Sequence, residues 1–120
     1  MIQTDVYETL SGDQAISDLV ADRIYPRRLP QNVIIPAVVY TINEINPVRS
    51  LSGESGLDNG IVEIICWAKE YSSAQALAVA VRAAFVDSGF AILTGKMQDV
   101  EDPDTRNYGV LMRMSAWSSS

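Results

Sequence analysis

Histidine is absent from this chain, and that gap removes much hydrolytic chemistry. No Ser-His or Cys-His nucleophile pair can be built, and a zinc site would have to rest on carboxylates and one thiol. Cysteine is nearly absent too. The single residue, Cys66, excludes an internal disulfide. It sits mid-strand among Val62, Ile64 and Ala68, where a free cysteine reads as a small buried hydrophobe. No apolar run approaches the ~20 residues needed to span a bilayer. The start, Met1-Ile2-Gln3-Thr4-Asp5, lacks the basic-then-apolar order of a secretory signal. Positive charge is scarce, with 9 Lys and Arg against 15 Asp and Glu and a net charge of −6. Broad nucleic-acid binding needs a basic footprint, so it is disfavoured; a surface past which DNA slides without sticking is not.

What remains is the composition of a globular protein, 48% hydrophobic and 20% charged over 120 residues. The expected organisation is one domain over 1–117, with Ser118-Ser119-Ser120 as a disordered polar end. The organising stretch is Gly60–Asp87. Ile61–Ala68 is short, apolar and rich in β-branched residues, and predicts a strand. Ser72 followed by Gln75 has capping-box spacing. Behind it Ala74, Leu77, Ala78, Val81, Ala84 and Phe85 recur at helical spacing, which predicts a helix over Ser73–Val86.

Both elements carry more apolar surface than one core needs. On the strand, Val62, Ile64, Cys66 and Ala68 share one face, while Ile61, Ile65 and Trp67 share the other, broken only by Glu63. The far side of the helix carries Ala76, Val79, Ala80 and Ala83. A helix apolar nearly all round is normally buried all round. A small two-layer domain cannot cover both sides of both elements, so Ile65, Trp67, Ala76, Val79, Ala80 and Ala83 are the candidate intersubunit residues, covered by another copy of the chain.

Along the rest of the chain, Asp5–Leu10 predicts a first helix. Asp13 can cap a further turn with Ala15, Ile16, Leu19 and Val20, as one bent helix or two short ones. Arg23-Ile24-Tyr25-Pro26 reads as extended, and Arg23, Arg27 and Arg28 form a basic trio that could meet an acidic partner but is most simply solvated. Ala37–Ile42 is a second apolar strand, which Asn46-Pro47 is expected to end. Pro47–Gly60, with Gly53, Gly56 and Gly60, reads as a long mobile loop, longer than a hairpin requires. Its candidate contact residues are Val48, Arg49, Leu51, Glu54, Leu57 and Asp58. Gly53-Glu54-Ser55-Gly56-Leu57 resembles a nucleophile elbow only at first sight, because Leu57 replaces the last glycine and no histidine can activate Ser55. After the helix, Ser88-Gly89 is a stop signal. Strands follow over Met97–Glu101, with a start as early as Ala91 possible, and over Asn107–Trp117, joined by a turn with Pro103 at its second position. Asp99, Glu101, Asp102 and Asp104 form the dense acidic cluster, but without the glycine and glutamate of a calcium loop. It reads as a solvated hairpin tip.

The order helix-β-β-helix-β-β, with several local signatures, resembles the tail-completion (tail-terminator) proteins of long-tailed bacteriophages and prophages. The matching residues are Ile24-Tyr25-Pro26; Pro36 with Val39-Tyr40; Leu51-Ser52-Gly53 with Gly56-Leu57; Ile64 and Cys66-Trp67-Ala68; Ala74, Ala78 and Val81-Arg82; and Asp102-Pro103-Asp104-Thr105 with Tyr108. The resemblance implies an α+β, two-layer sandwich, with a four-stranded mixed sheet and its helices packed on one face. It also implies assembly into a hexameric ring in the virion, at the head–tail junction, after assembly in the host cytoplasm. There the ring would cap the head-proximal end of the tail tube, stop its polymerisation and meet the head-connector or head-completion protein. DNA would only pass through the lumen. The family brings no catalytic residue, metal or cofactor, and no membrane. The residues by themselves leave two readings: such a structural ring, or a small homodimeric ligand-binding or regulatory domain whose apolar sheet face lines a pocket. A carboxylate-based metal hydrolase trails both.

Overall fold

The computed structural model describes residues 2–50, 53–94 and 97–119, with side chains described among these except at 44–58 and 118–119. Two helices, α1 (Ile2–Ser11) and α2 (Gln14–Val20), lead into a short strand β1 (Ile24–Pro26). Two long strands follow, β2 (Ala37–Ser50) and β3 (Gly53–Ala68), then the helix α3 (Tyr71–Ser88). The chain closes with β4 (Ala91–Leu93), β5 (Gln98–Glu101) and β6 (Tyr108–Ser119). The first two helices are separate because Gly12 ends one and Asp13 begins the next. The Asp13 carboxylate accepts the Ile16 N–H at 3.1 Å, satisfying one of the amides a helix start leaves unpaired.

The strands form one 6-stranded sheet in the order β1-β2-β3-β6-β4, with β5 also on β6. Only β1 and β2 run parallel; the other pairings are antiparallel. The predicted α+β, two-layer class therefore holds, with short β1 and β4 added to the four expected strands. β3 is the central member. Its register runs against β2 from Ala37↔Trp67 to Ser50↔Gly53, and against β6 from Leu57↔Ser119 to Ala68↔Tyr108.

All three helices cover one sheet face, and the core lies between. α3 contributes Ala74, Leu77, Ala78, Val81, Ala84 and Phe85. Beneath them lie Val62, Ile64 and Cys66 of β3 and Val110, Met112 and Met114 of β6. Each fully buried aliphatic side chain there is worth about 1.5–3 kcal/mol relative to exposure. Ile2, Val6, Leu10, Ile16 and Val20 of α1 and α2 complete the same cluster. α3 stops at Gly89, which adopts φ +77°, a left-handed conformation that glycine enters without steric cost.

Three local expectations are corrected. Ser72 does not cap α3: the helix begins earlier, after Glu70, which makes no side-chain cap bond. Gln75 does not reach back either; its amide donates to Asp99 of β5 at 2.9 Å. The tertiary partner supplies a charged acceptor, which the local one could not. Second, Pro47 does not end β2, and residues 47–50 and 53–60 are not loop but paired strand, the outer part of β2 and β3. Proline is tolerated there because β2 is an edge strand beyond β1, so the missing N–H can face away from the ladder. The glycines of β3 are poor strand formers, but pairing on both sides holds Leu57–Gly60 extended. Third, β6 continues to Ser119, carrying strand pairing into the serine end.

The hairpin gives the molecule a projection. Its extents are 51 × 28 × 25 Å and its radius of gyration is 14.8 Å, against about 13.6 Å for a compact chain of this length. The accessible surface, 7204 Å², likewise exceeds the roughly 6,400 Å² that mass scaling gives a compact monomer.

Candidate assembly surfaces

Three surfaces are left by this architecture: the outer side of α3, the sheet face away from the helices, and the hairpin arm. On α3, helical geometry places Ala76, Val79, Ala83 and Val86 along one stripe. All four are exposed, Val79 at 64% and Val86 at 67%. Of the predicted far-side residues, Ala76, Val79 and Ala83 lie on this stripe. Ala80 is half-buried and packs against the core, being rotated toward it from Val79 by one residue. Val86, which the pattern search passed over at the edge of the helix, extends the stripe instead.

The outer sheet face is mixed. Ile65, Trp67 and Leu111 are half-buried there, while Ala37 and Val39 are buried outside the helix-covered core. Trp67 lies over Gly109, its partner in register. A Cβ at Gly109 would meet the Trp67 ring and Val100 at 2.8 Å, so only glycine admits that close approach. Beyond this apolar zone Glu63 breaks the face. Its carboxylate pairs with Arg113 at 3.0 Å and accepts from the Asn43 amide at 2.6 Å. Exposed pairs of this kind contribute little net stability, so the polar strip marks where the apolar zone ends. The sequence signal for that zone, Ile65 with Trp67, was sufficient to find it.

The arm carries the predicted contact residues. Leu51 lies outside the described residues. Val48 and Arg49 are on β2, and Glu54, Leu57 and Asp58 on β3, as backbone positions in a paired hairpin; their side chains lie outside the described set. Val48 pairs with Leu57, and a register shift follows between Val48 and Arg49. Such irregularities twist a strand locally and recur near sheet edges.

No group of three or more His, Cys, Asp or Glu among the described residues could hold a metal. In the acidic hairpin, Asp102 accepts the Asp104 N–H at 2.9 Å and so shapes the turn. Asp99 joins β5 to α3, accepting the Tyr71 hydroxyl at 2.8 Å as well as the Gln75 amide. That hydrogen bond and the neighbouring carboxylate charge raise the Tyr71 hydroxyl above its ordinary pKa. An apolar cleft of about 320 Å³ opens between α2 and the start of α3, beside Leu19, Pro36, Ala68 and Leu77. It is on the helix side, not on the Ile65–Trp67 face where the ligand-binding reading placed its pocket.

A sequence model of the family described as tail completion protein gp17 matches residues 4–119. Among solved structures, a chain from the virion of the native gene transfer agent particle has the same fold, with a TM-score of 0.67 at 16% identity; 96% of this chain and 92% of that one are covered. The gp17 protein of bacteriophage SPP1 superposes with a TM-score of 0.59 at 17% identity, covering 96% and 87%. No curated protein sequence matches.

Cys66 belongs to none of these surfaces. It is fully buried, and burial pushes its thiol up to about 12. The reactive thiolate is therefore scarce at any pH below that value. Native protein should resist a thiol reagent at pH 8 and label only on unfolding, as followed by mass spectrometry. Rapid labelling of the folded chain would show that the β3–α3 layer opens.

Proposed function

The chain belongs to the tail completion protein gp17 family, and from that premise we propose that its copies assemble into a hexameric ring on the head-proximal end of a tail tube. It is a structural protein of phage-type tails and a virion component, not an enzyme. The ring occupies the surface that the next ring of tube protein would need, which ends polymerisation, and presents its other rim to the head-connector or head-completion protein. DNA passes through a lumen whose net negative charge repels it, so that it moves without sticking.

The observation that carries this reading is the apolar stripe Ala76, Val79, Ala83 and Val86, exposed on the far side of α3 from the core. A solvated helix would be polar there. Ile65 and Trp67 offer a second apolar zone on the opposite side of the same two-layer domain. Two different patches on opposite sides favour a head-to-tail contact, and such contacts close into rings. The arm, with Val48, Arg49, Leu51, Glu54, Leu57 and Asp58, is the element that reaches the tube. Removal from water of apolar stripes is worth about 25 cal/mol per Å², while the cost of ordering and orienting each copy offsets part of that gain.

Changing Val79 and Ala83 together to glutamate should lower the mass of the assembled protein while circular dichroism of the monomer stays unchanged. Acceptance of both charges with no mass change would place the contact elsewhere. Capping is tested separately through the arm. Trimming the hairpin from Ser50 to Asp58 down to a short glycine turn should leave fold and assembly intact, since it removes strand pairing at the tip but none of the helix-covered core, which on β3 begins at Val62. Tails made with the trimmed protein should be irregular in length or fail to join heads. Normal tails and infectious particles would move the docking surface off the arm.

A further inference from the structure

The β1 side of the sheet is left unfinished in a specific way. β1 pairs with β2 only as far as Pro26↔Tyr40. Arg27 then turns the chain away at φ +73°, an uncommon conformation for a residue with a Cβ. Its N–H donates to the Tyr40 carbonyl at 2.8 Å and closes the ladder. β2 itself continues to Ser50. On the edge facing β1, Val38 N–H and Tyr40 C=O are taken, so Ile42 is the next residue to offer both groups there, by the alternation of an antiparallel strand. No described residue takes them. Beside this open edge lies a groove of about 460 Å³, lined by Pro26, Arg27, Tyr40, Thr41, Ile42 and Asn43. Arg27 lines this groove and Arg28 lines the adjoining one beside Pro26 and Arg27; both are exposed and form no ion pair with a described residue.

The opposite side of the same sheet offers the complement. β5 is bonded to β6 on one side and to no strand on the other. It carries Asp99 and Glu101 and runs into Asp102 and Asp104, with Glu101 and Asp104 exposed. We propose that the open edge of β2 receives the β5 strand of a second copy, extending the sheet from one subunit into the next, with Arg27 and Arg28 against Glu101 and Asp104. This rests on the ring reading and closes the ring at the sheet edges instead of through the α3 stripe and the Ile65–Trp67 zone. Main-chain bonds would supply the binding, and the charges its register.

The geometry is self-consistent. β6 runs parallel to β2, because each is antiparallel to β3, and β5 is antiparallel to β6. In a ring all copies share one sense about the axis, so β5 of the next copy meets β2 antiparallel. Val100 pairs in register with Gly109 and so points away from the helices. Asn43 does so as well, through its bond to Glu63. Matching the pleats on the stretch that β1 leaves free sets Val100 opposite Asn43 and Glu101 opposite Ile42, beside the point where Arg27 leaves the ladder. Within one chain Val100 stands level with Ala37, through Gly109 and Trp67. The junction is therefore staggered along the strands, and stagger of this kind accompanies strand tilt in closed barrels. One chain cannot satisfy its own edge, because groove and β5 lie on opposite sides of its sheet.

The test introduces Asn43→Cys and Val100→Cys together; native Cys66 is buried and does not compete. Mild oxidation of the full-length assembled protein should give a ladder of covalent oligomers, and neither single variant should. Independently, Arg27→Glu with Arg28→Glu should raise the concentration needed for assembly about tenfold. Adding Glu101→Arg and Asp104→Arg should restore it. A wild-type ring that yields no ladder and ignores both charge changes would overturn this junction and leave the ring standing. A wild-type protein that stays monomeric both alone and on tail tubes would overturn ring and junction together.

Discussion

Everything in this molecule depends on β3 being hydrogen-bonded on both sides. β2 and β6 flank it through Leu57–Ala68, and the core face of that strand, Val62, Ile64, Cys66 and Ala68, is what the helices cover. Because β2 and β3 are longer than the helix layer, the sheet runs past its own cover and becomes an arm. Because the helix layer occupies one face only, the opposite face stays half-open. The exposed surfaces are thus consequences of one central strand, not separate decorations. The Trp67–Gly109 contact shows how tightly that arrangement is set, since one methyl group at position 109 would collide with the indole.

The function follows from what such a domain cannot do alone. Family membership makes it a structural protein of the tail and not an enzyme, so adhesion and obstruction are the means by which it works. The apolar stripe of α3, the Ile65–Trp67 zone and the open β2 edge are each surfaces that a second copy could complete. A contact of the α3 stripe on the Ile65–Trp67 zone and an edge-to-edge junction at β2 are alternative ways to close the proposed ring, because the faces and the edges of a two-layer domain point in different directions. The arm is then free to reach the tube.

The sequence was most legible where one physical signal dominated. Helical periodicity located α3 and its buried residues, the two-faced apolar pattern identified Ile61–Ala68, and Asp13 offered a cap after Leu10, although one bent helix or two short ones stayed open. It was least legible where tertiary pairing overrode local preference. Residues 47–60 hold glycine, serine and proline, all turn-forming by themselves, yet β2 and β3 pair through them and β6 supports their inner part. The Ser72–Gln75 spacing suggested a local cap, but Asp99, distant in sequence, competes better for the Gln75 amide. Among the candidate residues of α3, Ala80 turned toward the core while Ala76, Val79 and Ala83 stayed exposed. β1 was legible as an extended piece and β4 as an early start of strand at Ala91, but not as separate sheet members, because three residues of strand leave no periodicity to read. The Arg trio looked like solvent charge, since nothing in sequence reveals that Arg27 marks the end of a ladder.

The central claim is that this protein terminates a growing tube, and tube length measures it most directly. Purified protein would be added to tail-tube protein during polymerisation, and lengths scored by electron microscopy. The account predicts that growth stops at the time of addition, at concentrations far below that of tube protein, with a ring of extra density on one end only. Tubes that continue to elongate at the same rate, with bare ends, would contradict it.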